Sequence, residues 1–374
     1  TAKTLSVLLL EKNASLGRKL AATGNGRCNL SNRACAEQET VLRFFAEAGI
    51  AVREEDGRLY PYNEDAREVA AVLTDRARRL GVEIQSMETL PHGGFHLFVT
   101  GSDAPVCARK VLIATGGKSY GQFGSTGDGY RFARTLGHRI VTPVPALTGI
   151  ETVEDVSLLK GVRVKATVAL YCGGRLCGQE VGEVQFRTDG LSGICVMNLS
   201  ALVKPQKQAG RSIQEAFRDY RLVLDLMPDF DAAALQDLFR PVLQFPDAQN
   251  RDLLKTLVKA PLAEAALGRA GIAPDAPAAQ LTAGQLQEIA AVLQGFTLTV
   301  RGLKGWNEAQ VTAGGVSEAE VDAGRMESAL VPGLYFAGEV MEYAGPCGGY
   351  NLHYAWLTGI RAGHAMAAAL GTDR

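Results

Sequence analysis

From Leu5 to Leu10 the chain reads LSVLLL, apolar on both parities, and the run stops at Glu11. Apolar residues on both faces mark a strand buried between layers, so a parallel strand is predicted here. A loop rich in glycine and asparagine follows from Gly17 to Asn32. Helical spacing returns over Glu37 to Ala48 and over Asn63 to Leu80, where Ala66, Val69, Ala70, Leu73 and Ala77 share a face and Gly81 supplies a C-terminal cap. Val82 to Ile84, Gly94 to Thr100 and Lys110 to Thr115 read as strands, the last running straight into Gly116-Gly117. The alternation predicts a mostly parallel sheet with a small antiparallel excursion.

Past about Pro143 the pattern changes. VRVKATVALY, a turn at Gly173-Gly174 and RLCGQEVGEVQF alternate with period two, as antiparallel strands do. A helix over Ser212 to Tyr220 leads into RLVLDL, which Pro228 closes. Ala and Leu then dominate from Asp231 to Leu293, a helical stretch broken by prolines and ended by Gly295, after which FTLTVRG reads as a returning strand. VTAGGV, LYFAGE and a closing helix from about Asn351 resume the parallel-sheet idiom. The fold class expected is α/β: a Rossmann-like doubly wound domain (residues 1–142 and 306–374) interrupted by a β-barrel-like subdomain (143–227 and 296–305), itself interrupted by a helical subdomain (228–295).

Composition narrows the function. The chain has 374 residues, is 47% hydrophobic, and carries 39 Lys+Arg against 40 Asp+Glu for a formal net charge of -1. That balance provides no global field for nucleic acid or an anionic membrane, so neither is expected as a partner. No apolar run approaches the roughly 20 residues needed to cross a bilayer, and the reading is a cytoplasmic protein. Seven scattered cysteines with no C-x-x-C, and five histidines with no H-E-x-x-H, point to neither a disulfide framework nor a metal site.

Glycine is the informative residue, because glycines cluster just after the short apolar runs, where α/β enzymes place ligand loops. Three strands end in a glycine or an acid: LSVLLL at Glu11, VLIAT at Gly116-Gly117, and LYFA at Gly338-Glu339. An acid at a strand end can accept hydrogen bonds from a ribose diol, which suits Glu11; a solvent-facing acid is the competing reading. The glycine fingerprint that should precede Glu11 by about 20 residues is missing, and Gly24-Asn25-Gly26-Arg27-Cys28-Asn29 has asparagine where the third glycine belongs.

Four motifs carry a resemblance: GRKLAATGNGRCNLSN (17–32), ATGGKSYGQFGSTGDGY (114–130), VTAGGV (311–316) and GLYFAGEVMEYAGPCGGYNLHYAWLTG (333–359). Together they resemble the YhiN/BaiN-like bacterial two-dinucleotide-fold flavoproteins, often labelled aminoacetone oxidase family FAD-binding enzymes or 3-dehydro-bile acid reductases. The resemblance covers the whole chain and implies FAD extended across the sheet of the doubly wound domain, whose first strand and glycine loop are expected to be missing from this chain. It implies that Glu11 binds the adenosine ribose, that Arg18 and Lys19 lie near the phosphates, and that Thr23, Gly24, Asn25, Gly26, Arg27, Cys28 and Asn29 wrap the flavin end. Leu90 would pair its backbone with adenine, and Thr115, Gly116 and Gly117 would pack beside the nucleotide. Gly338-Glu339 resembles a second flavin fingerprint whose acid binds the ribityl or phosphate end. Gly348, Gly349, Tyr350, Asn351 and Leu352 would open the last helix with N–H groups aimed at the isoalloxazine N1 and C2 carbonyl. A side chain at Gly349 would then push against the ring, or force a backbone that only glycine tolerates.

The resemblance implies an FAD-dependent oxidoreductase that takes hydride from NAD(P)H, a transient donor, and reduces an unsaturated or carbonyl small-molecule substrate held between the flavin and the inserted domains. An FAD-dependent oxidase of a small amine is the alternative within enzymes; a flavin-containing RNA-binding or scaffold protein is the alternative of another class, against which the net charge argues. The catalytic group is open, with candidates Arg27, Tyr350 and His353. Each has a plainer reading: Arg27 as a loop arginine tied to backbone carbonyls, His353 as a packing or capping residue. Cys28 could form a flavin adduct, but no second cysteine stands at C-x-x-C or C-x4-C spacing.

Overall fold

The computed structural model describes residues 6–79, 83–85, 95–98, 104–203 and 217–372. The chain divides into two compact units, residues 1–146 with 306–374 and residues 147–305. The expected Gly81 cap and Leu90 lie outside the described residues, as does the helix expected from Ser212, of which only the turn from Phe217 is seen.

In the first unit the apolar runs become the parallel strands their composition predicts. Leu8–Leu10 pairs in parallel with Glu83–Gln85, and Val111–Ile113 pairs in parallel with Leu334–Phe336. Leu334, Tyr335 and Phe336 are all fully buried. Small antiparallel ribbons are added: Ser31–Asn32 with Arg58–Pro61 and Val52–Glu55, and Phe95–Leu97 with Val106–Ala108. Helices Gln38–Glu47 and Ala66–Arg79 form where the periodicity places them.

VTAGGV departs from the expectation. Val311–Val316 runs antiparallel to Ile140–Ala146, with a register shift between Ala313 and Gly315. Its glycines serve close backbone packing: a Cβ on Gly314 would stand 2.6 Å from the Thr142 carbonyl oxygen, and one on Gly315 would stand 2.5 Å from that of Val340. Only glycine lets three chain segments approach this closely.

The second unit is a closed antiparallel barrel of six strands. Its order is Ile150–Thr152, Gly190–Ser192, Arg175–Phe186, Arg163–Cys172, Tyr220–Asp225 and Phe296–Leu303, the last pairing back onto the first. The hairpin between Arg163–Cys172 and Arg175–Phe186 turns at Gly173 and Gly174, both at positive φ. Leu170, Val184, Phe186, Leu222, Leu224, Phe296 and Leu298 fill a common core with buried residues of three helices, Ala232–Leu243, Ala260–Arg269 and Ala283–Gln294. Thr282 and Gln285 cap the last of these reciprocally. Among the described residues no helix is long and apolar enough to cross a membrane.

One buried polar network stiffens the first unit. His138, 3% exposed, meets Ser328 Oγ through Nε2 at 2.9 Å and Glu320 Oε2 through Nδ1 at 3.1 Å. Ser328 Oγ accepts the N–H groups of Leu330 and Val331. Its hydroxyl proton is left for Nε2, which assigns the ring proton to Nδ1, facing Glu320. Burial holds the His138 pKa below its ordinary value, with Glu320 pulling the other way. A histidine depressed in the folded state binds protons less readily there than in the unfolded chain. Its contribution is therefore whole above the ordinary histidine range and is lost as pH falls. The melting temperature should fall between about pH 7.5 and about pH 5. His138→Gln should lower it at neutral pH yet flatten part of the acid slope; parallel pH profiles for both proteins would contradict the assignment.

Candidate cofactor site

The strand Leu334–Phe336 delivers Glu339 to the meeting point of three other segments. Glu339 Oε2 takes Lys19 Nζ at 2.6 Å, while Oε1 accepts the Ser119 hydroxyl at 3.0 Å and the Thr312 N–H at 2.7 Å. Lys19 Nζ also donates to Ser119 Oγ at 2.7 Å, and Thr312 Oγ1 accepts the N–H groups of Lys118 and Ser119. The Lys19 and Glu339 side chains are 23% and 20% exposed, so water screens the pair less than at an open surface, and losing it should cost about 1–3 kcal/mol. Gly117 has no room for a side chain: a Cβ would stand 2.4 Å from Thr312 Oγ1 and 2.9 Å from the Glu339 carboxyl carbon. Gly116, at φ +73°, faces open space. Lys19 and Glu339, expected near the phosphates and the ribityl chain, are thus committed to each other.

At the other end the last helix, Tyr350–Thr372, opens against the loop of residues 29–36. His353 Nδ1 meets Ser31 Oγ at 2.9 Å and Nε2 meets the Ala36 carbonyl at 2.8 Å, while Trp356 Nε1 donates to the Leu30 carbonyl. Nε2 must carry the ring proton, because a carbonyl can only accept. Burial lowers the His353 pKa, so the residue is a neutral clamp, the plainer of its two readings. Asn32 Nδ2 donates to the Gly348 carbonyl at 2.9 Å. Asn351 binds both the N–H and the carbonyl of Gly345, and the Tyr350 ring lies beside Gly348. Leu352 packs with Leu30, Phe45 and Leu357 in the local core. Gly349 sits at φ +97°, and a Cβ there would lie 2.3 Å from the Ser31 carbonyl oxygen and 2.6 Å from Asn29 Oδ1. Of the two reasons expected for Gly349, backbone conformation is the one on view, and the neighbours are protein atoms.

The remaining candidates fall around these two centres. Glu11 Oε1 accepts the N–H and the side-chain amide of Asn13, whose Oδ1 receives Arg18 at 3.2 Å. Thr23 returns its hydroxyl to the Leu20 carbonyl, and Gly24, Asn25 and Gly26 turn the chain in left-handed conformations. Thr115 packs against Gly129, whose Cβ position lies 2.1 Å from Thr115 Oγ1. Arg27 pairs with the carboxylates of Glu55 and Glu64 and stacks over Tyr60 at 4.3 Å; it is tied down, by carboxylates rather than backbone carbonyls. Cys28 is fully buried, and burial pushes its thiol up to about 11, against a hydrogen bond from Thr23. A neutral buried thiol is a poor nucleophile.

Sequence reasoning quoted the segments holding Ser31, Asn32, Ser119 and Thr312 but gave these residues no role. Hydroxyls and amides whose partners lie hundreds of residues away leave no local pattern. Among the described residues no cluster of His, Cys, Asp and Glu could hold a metal.

Proteins of related sequence identify the class. The chain is 32% identical to the 3-dehydro-bile acid delta(4,6)-reductase of Clostridium scindens over 96% of its own length and 92% of that protein's. It is 28% identical to the ribosomal RNA dihydrouridine synthase of Escherichia coli (97% and 92%) and 26% identical to that of Haemophilus influenzae (99% and 93%). With the Rossmann-type strand ends, this defines an enzyme of the oxidoreductase class. The family described as HI0933-like protein Rossmann domain matches residues 34–365, and the chain belongs to it.

Two substitutions test the geometry. Gly117→Ala should drive Thr312 and Glu339 apart and lower the melting temperature by several degrees, whereas Gly116→Ala, strained only by its positive φ, should cost less. Gly349→Val should destabilise the fold by about 2–4 kcal/mol in chemical denaturation, from strain and overlap with Ser31. Wild-type stability in that variant would remove the close contact from the account.

Proposed function

We propose that the protein is an FAD-dependent reductase acting on a carbon–carbon double bond conjugated to a carbonyl, with NAD(P)H as the transient hydride donor. The observation that carries this reading is the 32% identity, over 96% of the chain, to a delta(4,6)-reductase of a 3-dehydro substrate. The dihydrouridine synthases point the same way, since their name also describes hydrogen added across a ring double bond beside a carbonyl. The first unit would be a two-dinucleotide fold.

The residues present fit the flavin. Asn29 Oδ1 is a buried acceptor with no hydrogen-bond partner, and it lies against the start of a long helix whose first i→i−4 bond is His353 N–H to the Gly349 carbonyl, so the N–H groups before it have no acceptor in the helix ladder. When bound, FAD supplies hydride transfer to the substrate. Glu11 would hold the ribose, the loop of Thr23 to Asn29 and the helix start at Gly348 to Leu352 would hold the ring, and Thr115 to Gly117 would flank the nucleotide. Lys19 and Glu339 would support this site by fixing the strand ends.

The test is anaerobic titration of the full-length, flavin-loaded protein. NADH or NADPH should bleach the flavin absorbance, and a cyclic enone should restore it with loss of its double bond. Bleaching by a small amine, with no response to either nicotinamide, would replace this reading with the oxidase. Uridine in RNA as the restoring acceptor would keep the chemistry and change the substrate.

A further inference from the structure

Arg27, Arg76 and Arg361 are half-buried, and each holds an acceptor: Arg27 the carboxylates of Glu55 and Glu64, Arg361 that of Glu37, and Arg76 the Glu47 carbonyl. Arg58, also half-buried, is the exception, for its guanidinium makes no ion pair or hydrogen bond among the described residues. The hairpin of Val52–Glu55 and Arg58–Pro61 turns at Asp56 and Gly57, both at positive φ, and sets Arg58 directly opposite Glu55 on one side and Asn32 on the other. Directly opposed residues share a face, so Glu55 is the expected counter-charge. Its carboxylate goes to Arg27 instead, while Glu64 is shared between Arg27 and Arg53. Asn32 commits its amide to the Gly348 carbonyl and its oxygen to the Ala34 N–H. On this face three arginines meet two carboxylates, and the excess positive charge stays on Arg58. Guanidinium groups keep their charge in proteins, and holding one partly out of water with no counter-ion is costly, so its retention implies an anion that comes from outside.

The position of Arg58 narrows which anion that is. A Cβ on Gly348 would stand 3.6 Å from Asn32 Nδ2 and from Tyr350 Cε2, and 3.9 Å from Arg58 Nε. Arg58 therefore borders the start of the last helix, where the flavin reading puts the ring end of the cofactor. The oxidised ring is uncharged, and the same reading puts the phosphates at the Arg18 and Lys19 end, so the cofactor brings no formal anion here. We propose that Arg58 binds a carboxylate of the substrate through the fork of its guanidinium. One uncompensated positive charge matches one carboxylate, whereas a phosphate monoester brings nearly two negative charges. This rests on the reductase reading above and narrows its substrate class to an unsaturated carbonyl compound that carries an acid group away from the reacting bond.

The experiment sets a cyclic enone bearing a carboxylate beside its methyl ester, on the full-length, flavin-loaded protein. Binding is read from the change in flavin absorbance, and reduction from nicotinamide consumed. The wild type should bind the acid about tenfold more tightly than the ester. Arg58→Met, which keeps most of the stem and drops the charge, should weaken the acid about tenfold and bring it level with the ester; Arg58→Lys, which keeps the charge without the fork, should fall between. Equal binding of acid and ester by the wild type overturns the assignment even if the variants do not fold, and leaves the reductase reading standing. An Arg58→Met protein that binds FAD more weakly yet still prefers the acid overturns it too, because the arginine then serves the flavin. A wild type whose flavin is bleached by a nicotinamide but restored by neither enone refutes the reductase reading, and the assignment with it.

Discussion

A carboxylate cannot leave water without partners, because its desolvation costs several kcal/mol that only close cations and hydrogen bonds return. Glu339 meets that condition with Lys19, Ser119 and Thr312, one from each of three segments far apart in sequence. Those segments are the loop after Leu8–Leu10, the turn after Val111–Ile113 and the start of Val311–Val316. The strand ends of the first unit therefore converge on one acid, and Gly117 can lie between them only because it has no side chain. Loss of the carboxylate would leave Lys19 without its counter-charge and the Thr312 N–H without an acceptor, two faults from one change.

The last helix is held differently, by shape more than by charge. Ala362 is buried with the strands Val111–Ile113 and Leu334–Phe336, while Leu357, with Leu352 and Trp356 against it, belongs to a second cluster with Phe45 and Val41. Trp356 meets Phe45 edge-on at 5.4 Å. Sliding the helix would open both clusters, so its first turn is fixed before any ligand arrives. The hydrogen bonds of His353 and Trp356 then hold the loop of residues 29–36 to that fixed turn.

The sequence revealed what local periodicity encodes. The hairpin around Gly173-Gly174 was legible because alternation and a two-glycine turn specify it within some twenty residues. The barrel and the return of FTLTVRG to it were legible as well, but the strand that closes it was not: Ile150–Thr152, three residues long, is too short to show a period and pairs with Phe296–Leu303 across the whole insert. VTAGGV misled because an apolar run reads the same in a parallel or an antiparallel pair; its partner, Ile140–Ala146, is distant in sequence and runs the other way. In the site, the motifs named Lys19, Glu339, Asn29 and Gly349, but that Lys19 meets Glu339 and that Asn29 lies against Gly349 is seen only in the structure. They could not show that Lys19 and Arg27, read as ligand-facing cations, already have carboxylate partners.

That last point bears on how the site treats charge. Arg27 is shared between Glu55 and Glu64, Lys19 is bound to Glu339, His353 is neutral and Cys28 is protonated. Of these candidates, then, Arg27 and Lys19 are paired with carboxylates and the other two carry no positive charge. Negative charge developing on a ligand there would be met by backbone amides and the positive end of a 23-residue helix. Such fixed dipoles need no reorganisation when charge appears, and buried amides are screened by salt far less than a surface lysine would be. A site built this way suits an uncharged ring that gains electrons in place, since the charge that develops is met by dipoles already oriented.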